Sequence, residues 1–209
     1  MTHFLKLFCP LLFFFSCGQN QTKKLPSQST TPTSCEYRFD ELNTKVFWAG
    51  YKTTDKLKVV GQIKAFETNR TDAYFSSVDS MLNGLNFSLN TASSASGDEI
   101  RDSNLKDNFF NLLTDNFQIN GHFSNVQKDS VTAYVAIFGL EKSIEFSHVL
   151  VDSVLKLRGT LSLDELGAVK AYQSIQNKCY DLHKGADGIS KTWDDVDVLI
   201  NVPISIKCR

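Results

Sequence analysis

From Val196 to Ile206 every second residue is aliphatic: Val196, Val198, Ile200, Val202, Ile204 and Ile206, separated by Asp197, Leu199, Asn201, Pro203 and Ser205. Successive side chains of a β-strand point to opposite faces, so this pattern buries one face and wets much of the other. The same alternation recurs along most of the chain. Half-buried antiparallel strands repeated in this way build a barrel or a sandwich, and a closed barrel with an apolar inside is a container.

Eight strand candidates follow from period and turn residues. They cover residues 45–53, 57–66, 85–90, 119–123, 131–137, 144–148, 155–161 and 196–206. Two segments break the rhythm. Residues 97–113 carry Ile100, Leu105, Phe109, Leu112 and Leu113 at roughly helical spacing, with Asp98 and Glu99 at the start, where negative charge suits a helix N-terminus. Residues 163–182 carry Leu166, Val169, Tyr172, Ile175 and Cys179 at three- and four-residue steps, with Ser162 or Asp164 as cap candidates. The expectation is an all-β fold: an eight-stranded antiparallel lipocalin-like barrel with two inserted helices covering its openings. The 209 residues suffice for one such domain with a sizeable core. A net charge of -1, from 22 basic and 23 acidic residues, argues against a nucleic-acid partner. Many of the 16 phenylalanines fall in the body of the chain and suggest a wide apolar interior.

The N-terminus predicts export. His3 and Lys6 precede a short apolar run, Leu7 to Phe15, far too short to span a bilayer as a helix. Ser16-Cys17-Gly18 follows and is similar to a bacterial lipoprotein cleavage site, although Phe14 and Phe15 stand where Leu is usual. Residues 1–16 are therefore expected to be a lipoprotein-type signal peptide, 17–34 a lipidated Cys17 with a flexible Gln/Ser/Thr/Pro-rich tether, and 35–209 the barrel domain. Such a protein sits in the bacterial envelope, held to a membrane by its lipid anchor and facing the periplasm or the surface. Of the five cysteines, Cys35, Cys179 and Cys208 remain in the exported domain, where disulfides persist. First and last strands of an up-and-down barrel pair antiparallel, so a Cys35–Cys208 bridge would staple the closing seam. A pairing with Cys179 is left open by the sequence.

Several stretches together resemble the YceI-like family, the polyisoprenoid-binding lipocalin-like barrels of bacterial envelopes. Thr91 to Phe110, TASSASGDEIRDSNLKDNFF, is the most specific, with Arg101-Asp102, then Leu105 and the pair Phe109-Phe110. Trp48 to Phe66 is similar to the family's first hairpin, and Tyr134 to Phe146 to its strand–Gly–turn–strand unit. Ser162 to Ala168 falls where the family often has Arg-Asp-Phe-Gly, with Leu166 in place of the aromatic. The resemblance spans about Cys35 to Cys208. It implies an extended apolar chain, such as a polyprenyl lipid or an isoprenoid quinone tail, lying inside the barrel without a cofactor and without catalysis.

By strand parity the wall candidates are Trp48, Ile63, Phe87, Leu89, Phe123, Val135, Ile137, Phe146, Leu157, Val198 and Ile200, with Phe109 and Phe110 facing the mouth. Arg101 and Asp102 could touch a headgroup, but the simpler role is holding the first helix against a strand end. Cys179 and His183 share one helix face at a spacing that can hold a metal, yet no second ligand pair supports a site, and none is expected. Asp187, Asp194, Asp195 and Asp197 beside Trp193 read as a solvated turn, since the central Gly and alternating ligands of a calcium loop are missing. No nucleophile elbow, phosphate loop or paired carboxylates appear, so no catalytic residues are assigned. The rival to a hollow container is a barrel filled by its own side chains that acts as a protein-interaction module of the envelope.

Overall fold

The computed structural model of the protein describes residues 34–70 and 72–209. The expected signal peptide, Cys17 and the tether as far as residue 33 lie outside the described residues. The strands are β1 (Cys35–Phe39), β2 (Lys45–Lys52), β3 (Leu57–Thr68), β4 (Asn86–Ala95), β5 (Gln118–Ser124), β6 (Ser130–Ile137), β7 (Leu140–Val151), β8 (Val154–Ser162) and β9 (Asp195–Cys208). The helices are α1 (Val78–Leu82), α2 (Glu99–Asn108) and α3 (Val169–Lys178). Strands β2 to β9 pair antiparallel in chain order, and β9 returns to β2, which closes an eight-stranded barrel.

The seam explains why a ninth strand exists. One edge of β9 pairs with β8 from Asp195 to Pro203. Its other edge pairs with β2 through Asp197–Asn201 and then with β1 through Ile204–Cys208. Thus β1 and β2 are two halves of one strand position. The chain breaks between them because Asp40 folds the backbone into a turn: its carboxylate accepts from Asn43 N and Nδ2 at 3.2 and 2.8 Å, and its carbonyl accepts from Thr44 Oγ1 at 2.6 Å. Pro203 falls where β2 has ended and β1 has not begun, the place where a missing N–H costs least ladder bonding. The sequence reading did not include β1, because five residues with only Tyr37 and Phe39 on one face carry too short an alternation.

Two hairpins use two-residue turns with both residues at positive φ, the twist that matches the strands. Phe138-Gly139 (φ 54° and 71°) joins β6 to β7, and Asp152-Ser153 (φ 50° and 60°) joins β7 to β8. Strand β4 runs five residues beyond the expected Asn90. Its polar Ser93 sits at a register shift against β3, where its Oγ donates to Asn90 O (2.6 Å) and accepts from Lys64 N (3.1 Å) and Ala65 N (2.8 Å). The two expected helices are shorter than their apolar spacing suggested. Helix α2 stops at Asn108, and α3 starts at Val169 with Ala168 at its N-cap, so neither Ser162 nor Asp164 caps it. Helix α1 was not anticipated; Ser77 and Ser80 form a reciprocal cap for it.

Cys35 and Cys208 face each other in the β1–β9 register and are joined by a disulfide, while Cys179 is free and buried. The bridge spans a sequence separation of 173 residues. In the chain-entropy view, a loop of that size removes about 5 kcal/mol from the unfolded ensemble. The replacement Cys208→Ser is therefore expected to lower the unfolding free energy by about 2–5 kcal/mol, read by denaturant melts under non-reducing conditions. Equal midpoints for wild type and variant would contradict a stapled seam.

Candidate functional site

The inward faces of the strands differ along the barrel axis. At the end carrying α1 the interior is solid: Met81, Leu82, Leu85, Leu155 and Leu157 are wholly buried, and Phe39 is 2% exposed. Toward α2 and α3 the interior opens into a cavity of about 200 Å³. Small residues make the difference. Gly50 on β2 lines the cavity, and a Cβ added there would meet nothing within 4 Å. Ala133 and Ala168 line it too.

Three further inward glycines lie under aromatic rings. Gly61 pairs with Trp48 across β2–β3, and a Cβ on it would stand 2.8 Å from the indole Nε1. Gly121 pairs with Phe87, whose Cζ would be 2.6 Å from such a Cβ. Gly159 lies under Phe146, with Cδ1 at 3.0 Å. Each large ring packs directly against the bare backbone of a neighbouring strand, a close approach for which strand glycines leave room.

Of the residues predicted from parity, Trp48, Ile63, Phe87, Leu89, Phe123, Val135, Ile137, Phe146, Val198 and Ile200 line this one cavity. Phe109 and Phe110, which follow α2, line it as well. Leu157 does not. It has the right parity and pairs with Ile200 of the wall, but its own side chain is wholly buried in the core and does not reach the cavity. Parity alone would also have found Ile144, Leu161 and Val196, which share faces with predicted residues. Thr91 continues the alternation of Phe87 and Leu89 past the expected end of β4, and Leu113, Leu163 and Leu166 reach the cavity through the way the α2–β5 and β8–α3 turns are folded over the top.

The wall carries no titratable side chain, and its few polar groups are already bonded. Thr91, 1% exposed, donates its hydroxyl to Phe117 O at 3.0 Å, and Trp48 Nε1 donates to Ser94 Oγ at 2.9 Å. Arg101 and Asp102 hold the roof. Asp102 accepts from Ser96 N (2.8 and 3.1 Å) and Ser96 Oγ (2.6 Å), and Arg101 Nη1 donates to the same hydroxyl at 3.1 Å, so the first turn of α2 is tied to the end of β4. Asp98 caps α2 through Arg101 N at 3.0 Å, and that bond holds its carboxyl below the usual range.

The other charged groups lie off the cavity wall. His183 Nδ1 meets Thr192 Oγ1 at 2.7 Å, and burial pushes the His183 imidazole down and the Cys179 thiol up, each toward its neutral form. Asp195 pairs with Lys56 at 2.5 Å, and Trp193 donates from Nε1 to Thr53 O at 2.8 Å, with Lys56 and Lys191 over its ring. Asp197 accepts from the Tyr51 hydroxyl and, at 2.8 Å, from Thr160 Oγ1. These bonds hold the carboxyl of Asp197 below the usual range and push the Tyr51 phenol up to about 12. Among the described residues, no group of three or more His, Cys, Asp or Glu is placed to hold a metal ion.

A closed eight-stranded antiparallel barrel with a roofed apolar lumen is lipocalin-like in architecture. No protein-family model and no curated protein matches the chain. Among solved structures, it is similar to a polyisoprenoid-binding domain from Saccharophagus degradans implicated in plant cell wall breakdown, with a TM-score of 0.56 at 9% identity over 83% of this chain and 98% of that one. BcnA of Burkholderia cenocepacia (TM-score 0.47, 12% identity, 78% and 96% covered) and a mutant YceI protein of Campylobacter jejuni (0.48, 15%, 71% and 84%) also align. The chain shares the fold of the Saccharophagus domain.

Two outcomes follow from this geometry. Replacing Gly61 by Ala drives a Cβ into a ring held by Ser94, so the variant is expected to lose about 1–3 kcal/mol in a denaturant melt, with a shifted tryptophan emission; unchanged values would contradict the close packing of Trp48 on Gly61. The Tyr51–Asp197 bond acts on both sides of neutrality. The folded Tyr51 pKa is raised, so its contribution is full below the unfolded value near 10 and is lost as pH rises toward about 12. The folded Asp197 pKa is lowered, so its contribution is present above the unfolded value and is lost as pH falls through the folded one. Tyr51→Phe is expected to flatten the alkaline limb of the stability profile, measured by thermal melts, and to remove a phenol titrating near pH 12 from the ultraviolet absorbance.

Proposed function

We propose that the protein is a non-catalytic lipid binder of the YceI-like family, holding the tail of an isoprenoid or other long-chain apolar lipid inside its barrel. The observation that carries this reading is the wall itself: a lumen lined by apolar side chains and glycine with one threonine, whose hydroxyl proton is already given to Phe117 O. An apolar tail entering it gains about 25 cal/mol for each Å² removed from water. A charged or hydrogen-bonding substrate finds no partner there. The fold shared with the Saccharophagus polyisoprenoid-binding domain supports the same class of guest. The bare wall offers no acid, base or nucleophile, which supports binding over catalysis.

In this reading the protein is exported and stands in the bacterial envelope, periplasmic or surface-facing, anchored to the membrane through acylated Cys17. The Cys35–Cys208 disulfide supports an oxidising compartment, and the run ending at Ser16-Cys17 supports the anchor. Among the described residues no helix is long and apolar enough to cross a membrane.

Purification of the full chain from its native membrane, organic extraction and mass spectrometry test the proposal. Stoichiometric prenyl or other long-chain lipid is expected. The variant Gly50→Val, whose added Cβ would meet nothing within 4 Å, should melt like wild type and carry several-fold less lipid. Repeated absence of lipid from wild type, with no rise in melting temperature on adding isoprenoids, would favour the filled barrel acting on a protein partner.

A further inference from the structure

The lumen is closed partway down by a floor of aromatic rings. Phe87 lies 5.0 Å from Phe123 and 6.4 Å from Phe66, and Phe123 lies 6.4 Å from Phe146, centroid to centroid. Phe87, Phe123 and Phe146 form cavity wall, whereas Phe66 packs on the core beside them. Below this layer stands the solid half, with Phe39, Leu155, Leu157 and the two residues that α1 drives inward, Met81 and Leu82. None of these five touches the cavity. We propose that the barrel is a length-limited socket: it takes only the terminal part of an apolar chain, on the order of ten carbons, and leaves the rest of the molecule outside. The inference rests on the lipid-binding reading above and adds a bound on what that site accepts.

The bound comes from volume and from chemistry. An apolar cavity of about 150 Å³ holds one benzene, and this one measures about 200 Å³. It therefore has room for roughly one or two isoprene units, and close-packed side chains below do not yield space to a longer chain without cost. The chain must enter tail first. Every polar group on the wall is already bonded, so a headgroup brought inside would lose its water and find nothing in exchange. The tail enters from the end roofed by α2 and α3, since at the opposite end Met81 and Leu82 of α1 are wholly buried in the core. What lies beyond the socket stays in solvent or in the membrane from which the lipid came.

The test is a homologous series of prenyl alcohols: prenol, geraniol, farnesol and geranylgeraniol, each one isoprene unit longer than the last. Each is titrated into the delipidated full chain, with Trp48 emission as the readout. From prenol to geraniol the affinity should rise about tenfold or more, as added apolar surface leaves water. From farnesol to geranylgeraniol it should change by less than about twofold, because the added unit stays outside. Leu157→Ala opens the layer beneath the floor and should carry the rise on to farnesol or beyond. If that variant fails to fold, the wild-type series still decides. Affinity climbing steadily through geranylgeraniol would overturn the length limit and leave the lipid-binding reading standing. Failure of every alcohol to bind would overturn that reading, and the limit with it.

Discussion

Everything in this molecule depends on β9 having two edges satisfied at once. An open sheet of these strands would expose two unpaired ladders and an apolar face to water, a liability for aggregation. Here β9 bonds to β8 along one edge and to β2 and then β1 along the other. The ladder has no free edge across the barrel, and the inward faces of all the strands are removed from water together. The disulfide sits at the far end of this seam, joining the first residue of the short β1 to the last of β9.

Closure by itself makes an eight-stranded barrel whose interior is just wide enough to be filled by its own side chains. Whether room remains is decided residue by residue. In the α1 half, branched and long side chains meet at the axis and leave none. In the other half, Gly50, Ala133 and Ala168 face the lumen and leave room in it, and the large rings of Trp48, Phe87 and Phe146 pack against glycines of neighbouring strands. The roof then needs to be held without bringing charge inside. Arg101 and Asp102 do this from above, through Ser96, and both stay off the cavity wall.

Much of this was legible in the chain itself, for a physical reason. Burial on one face only leaves a period of two, and that period survives in β6, β8 and β9, where Val131 to Ile137, Leu155 to Leu161 and Val196 to Ile204 alternate cleanly. It also named most of the cavity wall, because the inward face of a barrel strand and the wall of its lumen are the same residues. Where the period failed, the backbone had other partners. Strand β4 continues through Ser93 because that hydroxyl bonds the bulged backbone of β3. Strand β1 is too short for its pattern to rise above its surroundings. Leu166 has helical spacing yet lies in a turn before α3, because it packs down into the barrel.

The order of side chains along the chain determined that strands form, which face of each turns inward, and that the inside is greasy, since alternation and turn chemistry are local properties. Only the closed fold decided where along the axis the barrel is solid and where it is hollow. That outcome is a sum of volumes from strands far apart in sequence, and Leu157 and Val198 have the same parity but fall on opposite sides of the line.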